Sequence, residues 1–197
     1  MPDTPFIVRR LDSLLKTDGG DVVFEALKSS FSSKNPDVEH FLKNSSVQSM
    51  RLHQSSTYLV MTRDFVLLGY FTLALKVIRI DARLLSSRES LKLKRFSMPD
   101  KENDSFIVPA ILIAQFSRNF NESVSSISGS DLMSITLEYV RSIQTQIGGL
   151  VTFLECEPAE KLVSFYKTQG FRLLDGKTIS KTDKELLQRP GEDTPPL

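Results

Sequence analysis

The sequence predicts a layered α and β fold around a mixed, mostly antiparallel sheet of roughly six to seven strands flanked by about four helices. Three observations predict it. Segments of strand character alternate with segments of helical spacing along one chain of 197 residues, a length suited to a single core. A hairpin precedes the strand, helix, strand unit, which excludes a purely parallel, doubly wound sheet. The chain is 40% apolar and 25% charged, and no apolar run approaches the roughly 18 residues that a membrane-spanning helix needs.

Taken in order, Phe6 to Leu11 reads as a short strand. After the turn signals Thr17-Asp18-Gly19-Gly20, apolar residues recur at helical spacing from Val22 to Phe31. Asn35-Pro36 breaks that segment. Asp37 is then placed to cap a second helix, whose Val38, Phe41, Leu42 and Met50 fall on one side and which ends near His53. Thr57 to Thr62 and Val66 to Leu75 are rich in β-branched and aromatic residues, and Arg63-Asp64 between them suits a tight antiparallel hairpin. Met98 to Ser105 is polar and reads as a loop, after which Phe106 to Phe120 is a long strand. Leu132, Ile135, Tyr139, Val140, Ile143 and Ile147 give the next helix one apolar face, and Gly148-Gly149 ends it. Leu150 to Cys156 is a strand, Ala159 to Thr168 a helix, and Gly170 a left-handed stop before a final strand, Phe171 to Leu174. One domain is expected over residues 1–188, with the proline-rich tail, residues 189–197, frayed.

Composition narrows the chemistry. Met1-Pro2-Asp3-Thr4-Pro5 lacks the basic start and apolar stretch of a secretory signal, so a cytoplasmic location is expected. Cys156 is the one cysteine, which rules out an intramolecular disulfide, and it reads as a half-buried strand residue rather than a nucleophile. His40 and His53 are the two histidines, and no cluster has metal-ligand spacing, so no metal is expected and neither histidine is given a role. The formal net charge of +1 argues against non-specific coating of nucleic acid. Lys76 to Arg95 is nonetheless a basic segment, with seven basic residues against Asp81 and Glu89.

The chemistry is expected between Phe106 and Cys156. A helix start exposes unpaired N–H groups and the positive end of the helix dipole, so the small residues from Val124 to Ser130 could cradle a phosphate. Ser128 with Asp131 three residues on also fits a capping box, a reading that needs no ligand.

Phe165-Tyr166-Lys167-Thr168-Gln169-Gly170-Phe171 closely resembles the helix-to-strand signature of the GNAT superfamily of acyltransferases. The resemblance implies that the fourth and fifth strands, Phe106 to Asn119 and Leu150 to Cys156, splay apart to admit the pantetheine arm of acetyl-CoA. It implies that the backbone of Phe116, Ser117 and Arg118 pairs with that arm. The N–H groups of Val124, Ser125, Ser126, Ile127, Ser128, Gly129 and Ser130 would receive the pyrophosphate, and Tyr166, beside the thioester sulfur, would protonate the departing thiolate. The phosphate-loop pattern departs from the family: Val124 and Ile127 replace its polar residue and a glycine, Gly129 is kept, and Ala159 stands where many members have asparagine.

The resemblance covers most of the chain. Val38 to Leu42, Ser56 to Val60 and Gly69 to Leu73 are similar to a GNAT branch that includes toxins acetylating aminoacyl-tRNA. It implies an N-acetyltransferase acting by direct attack of an amine on the thioester, with Glu155 the candidate base. The acceptor is a small molecule, a protein amine or an aminoacyl-tRNA, the last drawn to the basic segment. A homodimer and an antitoxin partner come with that branch. The departures motivate an alternative: a binding or regulatory module on the same scaffold with weak or lost turnover.

Overall fold

The computed structural model describes residues 6–121 and 127–173. Val124, Ser125, Ser126, Leu174 and the tail therefore lie outside the described residues. The elements run β1 (Ile7–Arg10), α1 (Leu11–Leu15), α2 (Gly20–Ser29), α3 (Pro36–His40), a π-helical turn (Phe41–Ser45), α4 (Ser46–Arg51), β2 (Ser56–Met61) and β3 (Leu67–Asp81). A 3₁₀ turn (Ala82–Leu84) follows, then α5 (Ser87–Leu93), β4 (Met98–Asp100), β5 (Ser105–Arg118), α6 (Gly129–Ile147), β6 (Val151–Phe153) and α7 (Glu160–Thr168). The described strands form a sheet of order β1-β2-β3-β5-β4, with β6 also pairing β5. The fourth and fifth strands of the sequence reading are thus β5 and β6.

Contacts divide the chain into two compact units. The first is Met1–Leu75, Ile111–Gly148 and Thr152–Pro158, and the second Lys76–Ala110, Gly149–Val151 and Ala159–Leu197. In the first unit β1 pairs antiparallel with β2, Arg10 opposite Tyr58, and β2 with β3, Tyr58 opposite Phe71. Directly opposed residues share a face, so the alternation of β2 and β3 sorts their side chains between two layers. Tyr58 and Phe71 stack 4.9 Å apart and meet Tyr139 of α6 at 4.8 and 5.7 Å. On the other face Leu59 and Tyr70 join Phe24, Phe31 and Leu42 in a core closed over by α1, α2 and the π-helical turn. Each such buried aromatic or leucine stabilises the fold by about 2 to 3 kcal/mol.

Gly69 lies on the α6 face, opposite Val60. A Cβ there would stand 2.9 Å from the Ser117 carbonyl, 3.0 Å from Arg118 Cα and 3.1 Å from Leu132 Cδ2. Only glycine lets β3, β5 and α6 approach this closely.

The second helix differs from expectation at its start and in its middle. Asn35, not Asp37, is its cap: Asn35 Oδ1 accepts from the Asp37 and Val38 N–H groups at 2.9 and 3.4 Å, and Pro36 takes the first helical position. The π-helical turn interrupts the run that periodicity reads as one helix.

In the second unit β3 continues past Leu75 to Asp81, so the basic segment is not one connector. The expected loop from Met98 to Ser105 is in fact a hairpin, with β4 antiparallel to β5 and Met98 opposite Ile107. Three residues containing Pro99 carry too little strand signal to read, and a proline is tolerated because β4 ends the sheet. Arg79 bridges to Asp100 at 2.6 Å, tying β3 to β4.

Two further expectations fail. The strand expected from Leu150 to Cys156 is assigned over Val151–Phe153 alone, and Phe171 to Leu173 have no strand pairing among the described residues. Apolar runs mark burial, whereas a strand ends where its neighbour stops offering hydrogen bonds. Among the described residues no helix is long and apolar enough to cross a membrane.

Candidate active site

The end of β5 and the start of α6 meet in the first unit. Arg118 Nη1 donates to the Ile127 carbonyl at 3.5 Å, and its guanidinium lies 4.6 Å from the Phe120 ring centre. Ser117 is buried. Its hydroxyl donates to the Arg118 carbonyl at 2.8 Å and lies 3.0 Å from the Ser33 hydroxyl. Phe116 is half-buried. The fit of β5 is completed by Asn119, a residue the sequence reading did not single out. Asn119 Oδ1 accepts from the Ser32 and Asn121 N–H groups at 3.0 Å, and Nδ2 donates to Ser30 O at 3.1 Å and Leu67 O at 2.9 Å. A lone asparagine at the end of an apolar strand was the available signal.

Ser128 caps α6. Its hydroxyl accepts from the Asp131 N–H at 3.0 Å and lies 2.6 Å from the Asp131 carboxylate, and its carbonyl takes the Leu132 N–H at 3.1 Å. Gly129 and Ser130 occupy the first turn of α6, at the positive end of the helix dipole. Ile127, which stands where the family's loop pattern has a glycine, is 1% exposed. Its branched side chain is spent in the core and does not stand over the turn.

Glu155 and Cys156 lie beyond the end of β6, and both are exposed. This corrects the half-buried strand position expected for Cys156. Its thiol is held above the ordinary range by desolvation and by Glu157, the opposite of what a nucleophile needs. No group of three or more potential metal ligands occurs among the described residues.

Tyr166 belongs to the second unit, on α7. Helix α7 ends in a Schellman motif: the Phe171 N–H donates to Tyr166 O at 3.1 Å, and the Gly170 N–H to Lys167 O at 3.0 Å, with Gly170 at φ +88°. The Tyr166 ring is half-buried and meets Phe165 and Phe171 edge-on, 5.2 and 6.1 Å between centres. The sequence signature Tyr-x-x-x-Gly-Phe is therefore a local device that fixes the tyrosine. Ala159 caps α7 with no side-chain bond. Of the basic segment, Arg79 and Arg83 are engaged by Asp100 and Asp81, both at 2.6 Å. Arg88, Lys92, Lys94 and Arg95 are exposed on and after α5.

Several solved structures superpose on this chain over most of its length. AtaT complexed with acetyl-methionyl-tRNAfMet is 19% identical with a TM-score of 0.63, covering 92% of this chain and 98% of that one. A tyrosine-to-phenylalanine mutant of KacT is 18% identical with a TM-score of 0.60, covering 93% and 99%. The chain has the GNAT fold. A third GNAT neighbour, a tyrosine-to-phenylalanine mutant of the toxin AtaT bound to acetyl-CoA and the C-terminus of the antitoxin AtaR, is 17% identical with a TM-score of 0.55, covering 87% of each chain. No protein-family model matches the sequence, and no curated protein does. The GNAT likeness is therefore carried by the path of the backbone rather than by residue identity.

Proposed function

We propose that the protein is an acyl-CoA-dependent N-acyltransferase that moves acetyl from acetyl-CoA to a primary amine by direct attack. The observation that carries this reading is the junction of β5 and α6, where Ile127 turns its side chain into the core and Arg118 reaches the Ile127 carbonyl. The junction suits coenzyme A. The first-turn amides of α6, Gly129 and Ser130, with those of Val124 to Ser128, would hold the pyrophosphate, and the Arg118 guanidinium would add positive charge. The backbone of Phe116, Ser117 and Arg118 would hold the pantetheine arm in the manner of an added strand.

When bound, acetyl-CoA supplies an activated thioester carbonyl. Holding it beside the amine converts a bimolecular attack into an oriented one, which lowers the barrier without a covalent enzyme intermediate. With acetyl-CoA bound, Tyr166 Oη would donate the proton that the departing thiolate takes, and the Glu155 carboxylate would receive the proton of the attacking amine. The AtaT neighbour with acetyl-CoA and the KacT neighbour each carry a tyrosine-to-phenylalanine change. The same substitution tests Tyr166 here.

A second acceptor reading is favoured by the AtaT complex with acetyl-methionyl-tRNAfMet: the amine is that of an aminoacyl-tRNA. The exposed Arg88, Lys92, Lys94 and Arg95 would then meet RNA phosphates. An antitoxin partner, as AtaR is for AtaT, and a homodimer belong to this reading.

Calorimetry with acetyl-CoA, on the wild type and on Gly129→Trp, tests the cofactor assignment. Binding that the substitution abolishes supports it. Absence of binding at millimolar concentration would favour a scaffold retained for binding or regulation alone. Labelled acetyl-CoA incubated with a cell extract then reports whether RNA, protein or small molecules receive the label.

A further inference from the structure

Helix α4 ends in the same motif as α7, with one difference. The Gln54 N–H donates to Ser49 O at 2.9 Å, the His53 N–H donates to Met50 O at 3.0 Å, and the residue in the left-handed position is His53, at φ 54°. Glycine occupies this position in α7 at no steric cost, whereas histidine does so against a backbone preference. Residues held in this conformation cluster at functional sites.

His53 lines a cleft of about 470 Å³ in the first unit, between the end of α4, the end of β1 and the middle of β3. That is the size range of small-ligand sites. Four potential cations and one carboxylate line it: Arg10, Lys16, Arg51 and His53 against Asp12. Asp12 is already engaged. It accepts from Arg10 Nε, and from Arg10 Nη2 at 2.7 Å, and Lys16 Nζ lies 3.6 Å away. The side chains of Arg51 and His53 make no hydrogen bond or ion pair among the described residues. Beside these donors the lining is mixed, with Met50 and Leu75 next to the polar Gln54, Ser55, Ser56 and Thr57. A cationic rim with spare donors next to further hydrogen-bonding groups suits a ligand with an anionic group on a polar organic body.

We propose that this cleft binds an organic phosphate of mononucleotide size, with Arg51 and His53 on the phosphate and the mixed polar and apolar lining against the rest of the nucleotide. Guanidinium binds phosphate through paired N–H donors, and the histidine ring adds a further one. The phosphate is that of a free nucleotide or of the terminal residue of an RNA strand. The site stands independently of the acyl-transfer reading and uses none of its residues.

The test is calorimetry of the full chain with adenosine 5′-monophosphate, adenosine and a short oligoadenylate, with saturating coenzyme A present. The nucleotide should bind at least about tenfold more tightly than adenosine, and Arg51→Gln and His53→Gly should each weaken it about tenfold. His53→Gly should at the same time raise the Tm, because glycine relieves the left-handed strain. A purely structural histidine would give the rise in Tm with no loss of binding, and that result overturns the proposal. Absence of nucleotide binding, or binding that survives both substitutions, overturns it as well. Preference for the mononucleotide identifies a free metabolite, and preference for the oligoadenylate identifies an RNA end, both keeping phosphate recognition. Acetyl-CoA binding by the same variants should be unchanged, so failure of the cofactor reading shows up in a separate titration.

Discussion

Arg118 reaches forward nine residues to the Ile127 carbonyl, 3.5 Å away, while its guanidinium lies 4.6 Å from the centre of the Phe120 ring. The end of β5 thus holds the entry to α6 through the Ile127 carbonyl. Arg118→Ala should weaken acetyl-CoA binding about tenfold at low salt, the scale of one charge-assisted contact, and less as salt is raised. Calorimetry at two ionic strengths checks this, and unchanged affinity at low salt would remove Arg118 from the cofactor site.

Asn119 satisfies main-chain groups of four residues, Ser30, Ser32, Leu67 and Asn121, while itself 4% exposed. Asn119→Ala should cost about 3 kcal/mol, because buried donors and acceptors lose their partner and water cannot replace it freely. Asn119→Asp should also destabilise, since a carboxylate cannot donate to the Ser30 and Leu67 carbonyls. Urea denaturation gives both values, and a change within experimental error in Asn119→Ala would contradict the network.

Gly69→Ala places a methyl group against main-chain atoms of Ser117 and Arg118 at 2.9 and 3.0 Å. Backbone cannot rotate away as a side chain can, so β5 must shift at a cost of about 1 to 3 kcal/mol. A lower Tm together with weaker acetyl-CoA binding is expected, because the displaced strand is the one proposed to hold the cofactor. Loss of stability with full cofactor affinity would separate the two roles.

Tyr166→Phe keeps the ring that packs on Phe165 and Phe171 and removes only the hydroxyl. It should lower kcat while leaving the affinity for acetyl-CoA nearly unchanged, the pattern of a group that acts in the transition state. Equal losses in both would argue for a binding role instead.

Burial pushes the phenols of Tyr58, Tyr70 and Tyr139 above the ordinary tyrosine range. A phenol whose folded pKa exceeds its unfolded value stabilises the fold fully below about pH 10, and loses that contribution as the pH rises further, because the unfolded chain releases its protons first. Stability should therefore decline between about pH 10 and pH 12, with phenolate absorbance from these residues arriving together with unfolding. Tyr70→Phe should flatten that decline. Ionisation of the three phenols within an intact fold would contradict it.

The hairpin of β2 and β3, the helix α6 and the stop at Gly170 were legible from the residues because each rests on local rules. Alternating β-branched residues, a stripe at helical spacing and a glycine at positive φ act over a few positions of chain. Strand β4 and the shortness of β6 were not legible, since both depend on where β5 offers hydrogen bonds. The buried fate of Ile127 was hidden for a similar reason. An isoleucine in a serine-rich loop breaks the family's phosphate pattern when read along the chain, and it is the packing against distant elements that takes its side chain out of the turn.

Residue order alone thus carried the class of fold, the order of its main elements and the tyrosine signature, all governed by interactions between near neighbours in the chain. Folding in three dimensions settled which strands pair and for how long, which cations of the basic segment are already neutralised, and that Arg10, Arg51 and His53 share one cleft. Those outcomes turn on contacts between residues far apart in sequence, whose energies no local pattern records.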